Sequence, residues 1–215
     1  MVKRATSRWV CILLLLCVGG EAWAAPAGLN LIPTADFYEP GQVSVEFQND
    51  CDGRLFGSQQ SRYGLLQIGL LPGLELGVDK CVNNGEEPFV ANAKLRLRKG
   101  SGWRPALAVG VQNVGSGQVW QPYAVSCVGL GRMLRGHIGA VSIDGAVKGM
   151  LGIDYTWKRW VFQGDWVCGR DNAAGIGISL DLGSGIYATY SLILPNARGG
   201  ATGHSINVQR IMTLR

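Results

Sequence analysis

The sequence predicts an all-β chain closed as an antiparallel up-and-down transmembrane β-barrel of about 12 strands. Three observations predict it: an export signal at the start, a two-residue hydrophobic period through the rest, and connections that alternate between tight and long.

The first residues carry Lys3, Arg4 and Arg8, then the apolar run Trp9 to Val18, then Ala22-Trp23-Ala24. This order of charge, apolar stretch and small-x-small site is that of a cleaved signal peptide. Cleavage is expected after Ala24, because a cut one residue later would set Pro26 beside the scissile bond. The apolar run is too short for a spanning helix, which needs about 20 residues. Leu16 before Cys17 does not make a lipidation site. The expected organisation is therefore a signal peptide over 1–24, an extended leader over 25–40, and a barrel over 41–215. Losing Lys3, Arg4, Arg8 and Glu21 with the first 24 residues leaves 191, whose 17 basic and 14 acidic side chains come from totals of 20 and 15. That balance is too mild for a nucleic-acid partner.

The leader passes two prolines, Pro33 and Pro40, before alternation begins. Val43, Val45 and Phe47 then alternate with Ser44, Glu46 and Gln48, giving a first strand with one apolar and one polar face. Leu66, Ile68 and Leu70 mark the second, and Leu74, Leu76 and Val78 the third. Residues 89–98 are the clearest, with Phe89, Ala91, Ala93, Leu95 and Leu97 on one face and Asn92, Lys94, Arg96 and Arg98 on the other. The same template predicts strands over 105–113, 123–130, 136–143, 148–156, 160–168, 173–181, 186–194 and 205–214. No prediction of a helix follows from any stretch after the leader.

Links after even-numbered strands are mostly tight, as in Leu71-Pro72-Gly73 and Trp157-Lys158-Arg159. Links after odd-numbered strands are mostly longer and polar, as in 50–61 and 114–122. Outer-membrane barrels have this asymmetry, with short periplasmic turns and long outer loops. Two links depart from it: 131–135 is long for a turn and 144–147 short for an outer loop. The prolines lie before, between or at the ends of strands, where the missing N–H removes no ladder bond. Tyr63 and Trp160, near strand ends, are expected in the aromatic borders of a lipid-facing surface. A soluble β-sandwich would hide a similar face in its core, and remains the competing architecture.

Catalysis has little to stand on: Ser205 adjoins His204, but neighbours along a strand point to opposite faces. With two histidines and no C-x-x-C spacing, no metal site or cofactor is expected. The inward faces carry a charge cluster of Glu75, Asp79, Lys94, Arg96 and Arg98. With a hairpin centred on 83–88, Glu75 is expected to face Arg96, with Asp79 diagonal to Lys94. Charges that neutralise one another favour a plugged or narrow lumen over a wide pore. Segment 28–40 either folds into the periplasmic mouth or stays a disordered leader. Arg210 falls on the apolar face of Ile206 and Val208, where a mid-bilayer charge costs roughly 2–4 kcal/mol unless a bulge turns it inward. Of four cysteines beyond the leader, Cys51 and Cys81 both belong to the outer rim and are the preferred disulfide, with Cys168 the competing partner; Cys127, on a strand descending from that rim, is expected to stay reduced.

"GLNLIPTA", with Gly28, Pro33, Thr34 and Ala35, and "LLPGLELGV", Leu70 to Val78, resemble the first strand entry and the repeated Pro-Gly hairpin of YjbH-like outer-membrane proteins. "YAVSC", Tyr123 to Cys127, is a looser likeness to a later strand. The resemblance implies a non-enzymatic Gram-negative outer-membrane barrel linked to exopolysaccharide production or export, with outer-membrane lipids, and polysaccharide or envelope proteins, as partners. The chain departs from that family in its short length. A small-solute, porin-like channel is the alternative function.

Overall fold

The computed structural model describes residues 28–53, 55, 60–83, 89–115, 117 and 119–214. The proposed signal peptide and its cleavage site lie outside them. Twelve strands follow in order: β1 Gln42–Asp52, β2 Gln60–Leu71, β3 Leu74–Cys81, β4 Val90–Arg98, β5 Ala106–Val114, β6 Gln121–Gly129, β7 Leu134–Ile143, β8 Ala146–Trp157, β9 Trp160–Val167, β10 Ala173–Gly183, β11 Ile186–Pro195 and β12 Gly203–Thr213. Each pairs antiparallel with its sequence neighbours, and β1 pairs with β12 from Gln42↔Thr213 to Asp52↔Gly203, so the sheet closes into a barrel without an edge. Predicted and observed strands agree to within a few residues at their ends.

The links mostly obey the expected asymmetry, with three exceptions. Tight turns at 72–73, 158–159 and 184–185 define the inner end, and 53–59, 82–89, 115–120 and 196–202 the outer end. The outer turn at Asp144-Gly145 is short because both residues adopt positive φ, 50° and 77°, the backbone twist that joins two strands with two residues. The exceptions at the inner end are the seven-residue link 99–105 and the four-residue link 130–133.

Alternation sorts the side chains as the sequence implies. Val45, Leu66, Leu76, Val78, Leu95, Ile138, Leu151, Ile153, Ile176 and Val208 are exposed on the outer wall, an apolar band suited to lipid. Phe162, Trp157 and Trp166 add rings to it. Tyr63 corrects the expected aromatic border: it is buried, on the inward parity of Leu65 and Gln67, because β2 carries its lipid-facing residues at even positions. Arg210 stays outside, so no bulge turns it inward. It faces Ile186, the first residue of β11, which places it at the inner rim, where a long cation reaches water instead of crossing mid-bilayer.

Candidate functional site

The lumen is occupied by the chain's own segment 28–40. From Gly41 at the inner end this segment rises inside the wall, then folds back in a small turn closed by the Gly28↔Pro33 bridge and a Leu29 N–H to Ile32 carbonyl bond of 2.9 Å. It is amphipathic towards its own barrel. Ile32 and Ala35 are buried in one cluster with Ala108, Tyr123, Val125, Val141, Ile143, Met150 and Val167, and Leu29, Leu31 and Phe37 pack against that cluster. The inner faces of β5 to β9 are thus partly apolar, a feature hidden in the sequence because their outer faces are apolar too.

Polar anchors hold the segment along its length. The Asp165 carboxylate on β9 accepts the backbone N–H of Leu31 at 2.6 Å and of Ile32 at 3.2 Å, and the Asn30 amide at 3.2 Å. Asn30 Oδ1 in turn accepts from Gln163 at 2.9 Å and Ser191 at 2.6 Å. Gly152, Gly175 and Gly177 line this contact; a Cβ on Gly152 would stand 2.7 Å from Leu29, and one on Gly177 would collide with Asn30. These three positions are small because another backbone comes close.

Nearer the inner mouth, Asp36 pairs with Arg135 at 2.9 Å, while the Tyr38 N–H donates to Glu75 at 3.2 Å. Lys94 donates to the Asp36 carbonyl at 2.5 Å and forms an ion pair with Glu75 at 3.3 Å, both side chains fully buried. Phe37 lies under the Lys94 ammonium at 4.7 Å and the Arg96 guanidinium at 4.4 Å. Burial pushes the Tyr38 hydroxyl well above its ordinary value, so it stays neutral and accepts from Gln209 at 2.8 Å.

The expected charge cluster is therefore real in part and rearranged. Glu75 faces Lys94, not Arg96, so the β3–β4 register is shifted by two residues from the expected one. An even shift leaves every side chain on its predicted face, which is why alternation predicts the face and not the partner. Asp79 lies opposite Val90 and accepts a short hydrogen bond from Asn92. Arg96 reaches Glu39 at 4.0 Å. Arg98 does not belong to the cluster: the ladder slips between Arg96 and Arg98, and its Nε donates to the Pro105 carbonyl at the exposed rim.

The Cys51–Cys81 bridge is not formed; both are buried free thiols, as is Cys127, and Cys168 is free and half-buried. Cys51 lies opposite Gln60 and Cys81 opposite Tyr63, with β2 between them. Two strand spacings and a three-residue offset put them roughly 14 Å apart, twice the reach of a disulfide. Asn49 donates to Cys51 and the Cys81 thiol donates to Asn83 instead.

A second cluster escaped sequence reading. His137 Nε2 meets Asp154 at 2.6 Å, and Asp154 also takes Arg135 Nε at 3.0 Å. His137 is the direct cross-strand partner of Cys127. The signal was present as inward parity on three adjacent strands, but only the register brings the residues together.

Segment 28–40 does not fill the lumen. A cavity of about 280 Å³ opens near the outer rim beside Asp50, Asp52, Asp171 and His204. A second, about 470 Å³, runs between the segment and the polar wall of β1 and β10 to β12, lined by Gln48, Gln163, Ser179, Thr189, Asn207 and Gln209 among others. A third, about 740 Å³, forms an inner vestibule beside Phe37, Arg96, Lys99, Trp103, Arg104 and Arg132. The first two share Asn30, Gln48 and Ser205, and the last two share Asp36 and Arg135.

Fold and lumen together define a closed transmembrane barrel with an internal plug. Among solved structures the chain is similar to the KdgM porin, with 13% identity and a TM-score of 0.59 over 78% of this chain and 98% of that one. It is similar also to the KdgM porin in complex with disordered oligogalacturonate, with 11% identity and a TM-score of 0.58 over the same shares. At such identity the likeness is one of fold. No family sequence profile and no curated protein matches the chain.

Proposed function

We propose that the chain is a non-enzymatic, porin-like channel of the outer membrane that passes small hydrophilic solutes along one side of its own plug. The observation that carries this is a series of three cavities, neighbours through shared lining residues, set beside segment 28–40 from the outer rim to the inner vestibule. Its middle stretch is lined mostly by amides and hydroxyls, which exchange hydrogen bonds with a solute, beside the charged Asp36, Glu46 and Arg135. The barrel likeness to a porin in complex with disordered oligogalacturonate supports a saccharide-sized solute. Export through a cleaved signal peptide and the outer membrane as destination belong to the same proposal, supported by the lipid-facing band and the short inner turns. The exopolysaccharide role rests on the YjbH-like resemblance of roughly residues 28–131 alone, and the solved structures favour the channel.

Planar-bilayer recording of the refolded full chain tests it. The intact protein should give small steps, and a variant lacking residues 28–37 should give steps several-fold larger. A shortened variant that inserts, migrates as a folded barrel in an unheated gel, and still conducts no more than the intact protein would refute the channel.

A further inference from the structure

Among the described residues, Cys127 is a free thiol set beside a histidine–carboxylate pair, and this concerns chemistry separate from transport. It lies on the inward parity of β6, buried to 9% exposure, and it lines the inner vestibule together with Arg135. Across the ladder, His137 is fully buried in its side chain and gives Nε2 to Asp154 at 2.6 Å. Asp154 is itself held by Arg135 at 3.0 Å, so the carboxylate is oriented. With Nε2 engaged by Asp154, Nδ1 is the ring nitrogen left without a partner. Nδ1 is buried and has no hydrogen-bond partner. Cys127 is the direct cross-strand neighbour of His137, on the same inward face.

A buried ring nitrogen left open beside a thiol is unusual, since such groups are normally satisfied. The order thiol, imidazole, carboxylate is that by which a cysteine is made nucleophilic. The approach to it is cationic: Arg96, Lys99, Arg104, Arg132 and Arg135 line the vestibule, against Asp36 and Glu39. Lys99, Arg104 and Arg132 have no acidic partner among the described residues. An oxidising compartment supplies small disulfides to a thiol of this kind.

We propose that Cys127, with His137 and Asp154, is a thiol-exchange site that takes small anionic disulfides through the inner vestibule. The thiol proton passes to His137 Nδ1, and the Cys127 sulfur bonds to one sulfur of the incoming disulfide. The S–S bond of that molecule breaks, and the departing thiolate takes the proton back from His137. One thiol and one disulfide become one mixed disulfide and one thiol, with no further oxidant. A modified Cys127 would carry the added group into the vestibule beside Phe37 and Ala35, at the foot of the plug.

The site is tested on the folded full chain with 3,3′-dithiodipropionate, a dicarboxylate dialkyl disulfide, and cystamine, a cationic dialkyl one, with each modified cysteine located by peptide mass spectrometry. Cys127 should react before the more exposed Cys168, and faster with the dicarboxylate than with cystamine. His137→Gln should slow Cys127 by roughly tenfold or more while leaving Cys168 unchanged. Reaction of Cys168 first, or an unchanged Cys127 rate in a folded His137→Gln barrel, overturns the proposal. If His137→Gln fails to fold, the order and charge preference in the unaltered protein decide alone. Conductance does not enter this readout, so failure here leaves the channel standing, and failure of the channel leaves this site standing.

Discussion

Replacing Asp165 by alanine removes the strongest anchor of segment 28–40 while touching neither the barrel ladder nor the apolar cluster. The carboxylate accepts from Leu31, Ile32 and Asn30, so three hydrogen bonds are lost at once. Each is worth about 1 kcal/mol net, more where the acceptor is charged. The two backbone N–H groups of Leu31 and Ile32 lose a partner that an alanine cannot replace. Against this, a buried carboxylate no longer has to be desolvated, which returns part of the loss. A net weakening of docking of about 3 kcal/mol follows, equivalent to a roughly 100-fold rise in the population with the turn at 28–33 released. Asp165→Asn keeps one oxygen in place and should fall between. The assay is single-channel recording on refolded protein, with the unheated-gel shift as a control for folding. Long openings, rare in the unaltered protein, should become frequent in Asp165→Ala. A folded Asp165→Ala barrel whose open probability stays within twofold of the unaltered one would show that Asp165 does not hold the segment, and the account of the plug would fail with it.

Gly177→Ala places a methyl against Asn30 and near Ser191, so it should open the lumen as Asp165→Ala does, with little loss of barrel stability, checked by the same recordings and by urea titration in lipid vesicles. Lys94→Met leaves the Glu75 carboxylate buried without its cation and should cost about 3–5 kcal/mol in that titration, whereas Lys94→Met combined with Glu75→Gln should recover most of it. A double variant as unstable as the single one would show that the cost is packing against Phe37 rather than charge. Peptide mapping of protein isolated with thiols blocked should return Cys51 and Cys81 as separate alkylated residues; a peptide linking them would mean the outer ends of β1 and β3 differ from the structure. Gly145→Val puts a β-branched residue at a φ of 77°, and should destabilise the β7–β8 hairpin by about 1–2 kcal/mol without altering conductance.

Much of the barrel was legible because alternation is a one-dimensional signal. Residues 89–98 declare a lipid face and a lumen face by themselves, since every second side chain meets the same solvent. Pro72-Gly73, Lys158-Arg159 and the other turns declare where strands end. The lumen was less legible. Tyr63 looked like a membrane-border ring because aromatic chemistry does not say which face a residue occupies near a strand end, where parity is easily miscounted. Glu75 and Lys94 were both picked out, but their pairing needed the register, and shifts of two residues are invisible to a period of two.

The sequence by itself determined the strand count, the closed antiparallel topology, the inward and outward faces and the presence of opposite charges inside. These follow from local periodicity and from turn chemistry, which act over a few residues. Only the tertiary structure decided that segment 28–40 occupies the lumen, that Asp165 meets the amides of Leu31 and Ile32 more than 130 positions away, and that Cys127, His137 and Asp154 share one corner. Those contacts depend on the register of each ladder and on the space that Gly152, Gly175 and Gly177 leave open, and neither is written in any local stretch of the chain. Closure of the barrel fixes both at once, because a lumen of set width must be filled by whatever chain can satisfy its buried donors and acceptors.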